Sequence, residues 1–165
     1  MDRCHPTFID YVNTKLITMD TTENITKKVQ NLIVRHIDHH KSFWEAVDHT
    51  SNTTLIGFLK KQADEHRKMA MKLTAALVAF NSDASINTEG TVGGALERGW
   101  ADIRTAFSEE DNAALIEGYA AKINALITQY QETLEPSLKL PENMEATLKE
   151  QLQLLEHSLA KIKNL

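Results

Sequence analysis

At 165 residues with a single cysteine, Cys4, the chain suits one hydrophobic core and is too short for two without a visible linker; it cannot form an internal disulfide or a thiolate-based structural zinc site. Lys and Arg total 18 against 23 Asp and Glu, and a net charge of −5 argues against partners that are nucleic acid or an anionic membrane surface. No stretch approaches the roughly 18 uninterrupted apolar residues of a membrane span, and the first residues lack the pattern of a secretory signal, so a cytoplasmic protein is expected.

The opening segment MDRCHPTFIDYVNTKLIT is rich in aromatic and apolar residues, and Met19 stands just before a helix-capping threonine. Residues 1–21 therefore read as an N-terminal arm, either preceding the true start or packing on the bundle or a partner, and residues 22–165 as the folded domain. A first helix is expected over about Thr22 to His49, because a threonine at the cap accepts from amides that the first turn leaves unpaired. Its apolar residues Val29, Ile33, Phe43 and Val47 follow a four-and-three spacing whose missing steps are His36 and His40, placing two histidines on the inner stripe. Turn chemistry at Thr50-Ser-Asn-Thr-Thr makes the next helix an antiparallel neighbour.

The second helix is expected over about Thr54 to Phe80, with Leu55, Leu59, Gln62, His66, Met69, Leu73, Ala76 and Phe80 inward. The connection from Asn81 to Asp111 is too long for a hairpin. It reads as a broken helix across the bundle, with Leu96, Trp100, Ile103 and Phe107 on one stripe. A third helix follows from about Glu109 to Leu134, with Leu115 or Ile116, Tyr119, Ile123, Leu126, Tyr130 and Leu134 inward, and Pro136 and Pro141 bound the next turn. The fourth, from about Glu142 to Lys163, carries a uniformly apolar stripe of Leu148, Leu152, Leu155, Leu159 and Ile162. The expected fold is all-α: two helical hairpins joined by one long helical crossover between helices 2 and 3, the arrangement of ferritin-like four-helix bundles.

The segment from Gly90 to Phe107 resembles the signature crossover of a bacterial family of ferritin-like four-helix proteins catalogued as a domain of unknown function. Weaker similarity runs from about Val29 to the C-terminus, through Leu32-Ile33, Phe43, Tyr130 and Leu140-Pro141. The resemblance implies a fold and no activity, since sites rather than folds carry function. It also marks a departure: where family members tend to be acidic, this chain has Val34 and His40 in helix 1 and Gly118, Ala120, Ile123 and Asn124 in helix 3.

A di-iron site in such a bundle needs Glu from two helices and Glu-x-x-His from the others, and no Glu-x-x-His occurs here. Glu65-His66 and Glu156-His157 are adjacent pairs whose side chains point about 100° apart. The candidate metal ligands are His36, His40 and His66, a nitrogen-rich set suited to zinc, copper or nickel, with Glu65 or Glu156 as a further donor; His39 and Asp38 are expected to turn outward. The alternative for the same histidines is hydrogen bonding to Gln62, Tyr119 or Tyr130 inside the core. The crossover glycines lack the context of a phosphate loop, and no arrangement of Ser, His and Asp suggests a hydrolase. The leading expectation is a non-enzymatic interaction or stress-associated protein, a cytoplasmic homo-oligomer without a cofactor, with Trp44, Trp100 and the arm as contact candidates. The alternative is a metal-binding or oxidoreductive protein holding a transition-metal ion on His36, His40 and His66.

Overall fold

The computed structural model describes residues 8–91 and 112–164, with side chains from Thr21 onward. Four long helices account for most of it: α1 (Phe8–Ala46), α2 (Thr53–Phe80), α3 (Asn112–Thr133) and α4 (Glu142–Ile162), with short 3-10 turns at Val47–His49 and Pro136–Leu138. No strand occurs among the described residues, and none of their helices is long and apolar enough to cross a membrane. The architecture is an all-α four-helix bundle.

The helix expected to begin at Thr22 begins at Phe8. Between Phe8 and Ala46 there is neither proline nor glycine, and a threonine with helix on both sides imposes no start, so α1 runs on from just beyond Pro6. Its end also falls earlier than expected, at Ala46, where the chain tightens into the 3-10 turn. The start of α2 is set by Asn52, whose side-chain oxygen accepts from the amides of Thr54 at 3.0 Å and Leu55 at 3.1 Å. In the second hairpin Pro136 opens the turn, Lys139 adopts the left-handed conformation at φ 49°, and α4 starts directly after Pro141.

Cross-helix contacts give the topology. Asn81 meets Thr26 and His36 meets His66, so α1 and α2 are antiparallel. Lys28 reaches the Glu132 carbonyl and Thr50 donates to Asn112 at 2.6 Å, so α1 and α3 are antiparallel as well. Lys72 pairs with Glu150, and Tyr119 and Tyr130 meet Ser158 and Gln151, which runs α4 antiparallel to both α2 and α3. Helices α2 and α3 are thus diagonal and parallel, and the connection must travel the length of the bundle. Its described part climbs along α1, with Gln30 bonded to the Asn87 carbonyl, Lys41 to the Glu89 carbonyl and Asp38 to Thr91. The stripe Leu96, Trp100, Ile103 and Phe107 lies outside the described residues.

The core follows a four-and-three spacing in each helix, with two shifts from expectation. In α1 the buried series is Ile25, Val29, Leu32, His36, His39, Phe43 and Ala46, with Ile33 also buried, while His40 and Val47 are only partly covered. In α4 the series is Met144, Leu148, Gln151, Leu155, Ser158 and Ile162, so the stripe is not uniformly apolar; Leu152 and Leu159 flank it, half-buried. Two such series one residue apart share Val29, His36 and Phe43, and both are apolar enough to serve. The choice falls to what faces each helix, because an inward polar group must find a partner. The α2 expectation holds from Leu55 to Leu73, including inward Gln62 and His66, after which Leu77 rather than Ala76 takes the buried place.

Candidate functional site

At mid-bundle the polar seam residues of all four helices converge. His36 and His66 are fully buried, with rings 4.9 Å apart and their Nδ1 atoms 2.8 Å apart. His36 Nε2 lies 2.5 Å from the Tyr130 hydroxyl, Tyr130 donates to Gln151 Oε1 at 2.5 Å, and Gln151 Nε2 donates to the Met69 carbonyl at 3.2 Å.

Proton counting gives this chain a direction. The Met69 carbonyl can only accept, so the Gln151 amide nitrogen faces it and its oxygen faces Tyr130. The single Tyr130 proton goes to that oxygen, so the hydroxyl oxygen accepts from His36 Nε2–H. His36 Nδ1 is then a lone pair and accepts from His66 Nδ1–H. His66 Nε2 is left with a lone pair, and it is buried without a hydrogen-bond partner among the described residues.

Burial holds these groups neutral. Desolvation, reinforced by the positive charge that His66 would carry, lowers His36 well below the ordinary imidazole range. Burial and the nearby His40 lower His66 to about 3. Burial raises the Tyr130 hydroxyl well above the usual phenol range; it raises Tyr119 too, against a smaller opposing effect of the Ser158 hydrogen bond. A second polar tier joins Tyr119, which donates to Ser158 Oγ at 2.9 Å, while Ser158 donates to the Leu155 carbonyl. The Tyr119 hydroxyl also lies 3.1 Å from Gln62 Oε1, a second acceptor for its proton. Phe43 lies between the tiers, its ring 5.2 Å from His66 and 4.9 Å from Tyr119.

Two neighbours of the histidine pair are buried, contrary to expectation. His39, 5 % exposed, holds a seam position, its ring 5.0 Å from His66 and 5.4 Å from Phe43. Burial lowers it well below the ordinary range, followed by the charges of His66, His36, Lys122 and Arg35, and its Nδ1 has no hydrogen-bond partner among the described residues. Asp38, 2 % exposed, is covered by the connection, accepting from the Thr91 amide at 2.9 Å and the Thr91 hydroxyl at 2.8 Å. Gly90, at φ 86°, allows this approach, since a Cβ there would run into the Asp38 carboxylate.

Of the three candidate ligands, the fold brings His36 and His66 together and turns His40 away, its Nδ1 donating to the Ala63 carbonyl at 2.9 Å. Glu65 pairs with Lys68 at 3.0 Å and Glu156 is exposed. Among the described residues no set of three or more His, Cys, Asp or Glu side chains is arranged to hold a metal ion. Sequence reasoning missed His39, Gln151 and Ser158; a strict four-and-three count from Met144 through Leu148 and Leu155 would have found the last two.

Residues 24–136, from within α1 to the turn after α3, match the family described as Domain of unknown function (DUF2383). The chain belongs to this family. Comparisons with curated proteins and with solved structures give no match. The DUF2383 region contains His36, His39, His66, Tyr119 and Tyr130, whereas their α4 partners Gln151 and Ser158 lie beyond its end.

Proposed function

We propose that this DUF2383 protein is a non-enzymatic helical interaction module of ferritin-like architecture, acting as a homo-oligomer in a cytoplasmic stress or maintenance role. The observation that carries the reading is that both ring nitrogens of His36, Nδ1 of His40 and the hydroxyl of Tyr130 are engaged by protein partners. His36, His40 and Tyr130 thus connect helices, which points to the outer surface for function. The single long crossover between parallel, diagonal helices supports the ferritin-like comparison. Trp44, 42 % exposed with the Lys60 ammonium 5.8 Å from its ring centroid, is the aromatic contact candidate on that surface; Trp100, the other candidate, lies outside the described residues. Light scattering over a range of concentrations tests this: the wild type should show a mass above one chain and Trp44→Ala a lower one. A wild type that stays monomeric removes the proposal.

A second reading, binding of a transition-metal ion, is favoured by one observation: His66 Nε2 and His39 Nδ1 are both buried and, among the described residues, without a hydrogen-bond partner, on rings 5.0 Å apart. The set His36, His40 and His66 would serve only if His36 released His66 or Tyr130, whereas His40, with Nδ1 donating to Ala63, would present its Nε2 lone pair. Elemental analysis of tag-free protein decides. Stoichiometric metal lost in His66→Ala supports a metal centre, whereas metal retained in that variant places any ion elsewhere.

A further inference from the structure

Along the outer faces of α1 and α2 runs a groove of about 530 Å³, and its two ends differ in chemistry. His40 lies opposite Ala63 and His36 opposite His66, so Lys41 and His40 stand at the Arg67 end. From Arg67 the wall continues along α2 through Ala70 and Met71 to Ala75, a rise of about 12 Å for eight helical residues. No carboxylate is among the described residues that line it. Arg67 is exposed and has no ion pair or hydrogen bond among the described residues; Lys41 donates to the Glu89 carbonyl at 2.6 Å and retains two further donors.

We propose that this groove binds a free medium-chain fatty acid, its carboxylate on the Arg67 guanidinium and the Lys41 ammonium and its alkyl chain along Ala70, Met71 and Ala75. Charge complementarity selects the head group, because a planar guanidinium with unused donors matches a carboxylate through two parallel hydrogen bonds. The apolar end selects an unbranched chain, and Met71, which is mostly exposed, supplies a flexible side chain able to fold over it. The volume falls within the range of small-molecule sites, roughly 300 to 1,000 Å³.

The test is calorimetric titration of the full chain with decanoate below its micelle concentration, with decan-1-ol as the uncharged comparison. Saturable binding of one decanoate per chain is expected, tighter than decan-1-ol. Arg67→Gln should weaken decanoate by at least about tenfold and narrow its preference over decan-1-ol, since one of the two charges that hold the carboxylate is lost. Ala75→Trp should block both ligands by filling the tail end. Both positions are exposed, and unchanged circular dichroism and thermal midpoint verify that the variants fold. Absence of saturable binding, equal affinity for the alcohol, indifference to both substitutions, or attachment to anionic vesicles without decanoate binding would each overturn the proposal.

Discussion

The 2.8 Å contact between Nδ1 of His36 and Nδ1 of His66 sets the proton positions of both rings, because the other nitrogen of His36 must donate to Tyr130. A hydrogen-bonded chain from α2 through α1 and α3 to α4 then ends on a backbone carbonyl of α2, and each link specifies which helix faces which.

Tyr130→Phe should be among the most costly conservative substitutions in the protein. It leaves the His36 Nε2–H and Gln151 Oε1 without their partner in the buried core, a loss of about 3 kcal/mol. Tyr119→Phe, where Ser158 keeps its bond to the Leu155 carbonyl, should cost about 1 kcal/mol. Urea unfolding measures both, and equal losses would contradict a directional network.

Acid should unfold the protein through its histidines. The folded-state pKa of His66 is depressed to about 3, and those of His36 and His39 are lowered as well, so the unfolded chain binds more protons below the usual imidazole range. Their stabilisation is complete above about pH 6.5 and is lost as pH falls toward the folded values, at about 1.4 kcal/mol per pH unit for each histidine. Denaturation midpoints measured at about pH 8, 6 and 5 should fall steeply over the lower interval; a flat profile there contradicts neutral buried imidazoles.

Gly90→Ala should loosen the connection from α1. The positive φ and the collision with the Asp38 carboxylate together predict a loss of about 2 kcal/mol, read as a lower thermal midpoint. Thr91→Val, which removes one of the two bonds to Asp38, should cost less, about 1 kcal/mol.

The register of α4 can be tested with neighbouring leucines. Leu155, 1 % exposed, should lose about 3 kcal/mol on change to alanine, whereas Leu154, 44 % exposed, should stay within about 0.5 kcal/mol. Similar values for the two would mean that Gln151 and Ser158 do not face the core.

Helical periodicity and turn chemistry were enough, without coordinates, to reach the all-α bundle, the two hairpins, the long connection and the inward placement of Gln62, His66, Tyr119 and Tyr130. These are local properties: a 3.6-residue repeat and a proline or asparagine act within a few residues of themselves. Periodicity does not separate two inner stripes one residue apart, so the sequence alone places His39 outward and His40 and Leu152 inward, and leaves Gln151 off the α4 stripe. That choice, like the direction of the hydrogen bonds and the cover that Thr91 gives Asp38, belongs to the packed bundle, because the cost of burying a polar group depends on a partner supplied by another helix.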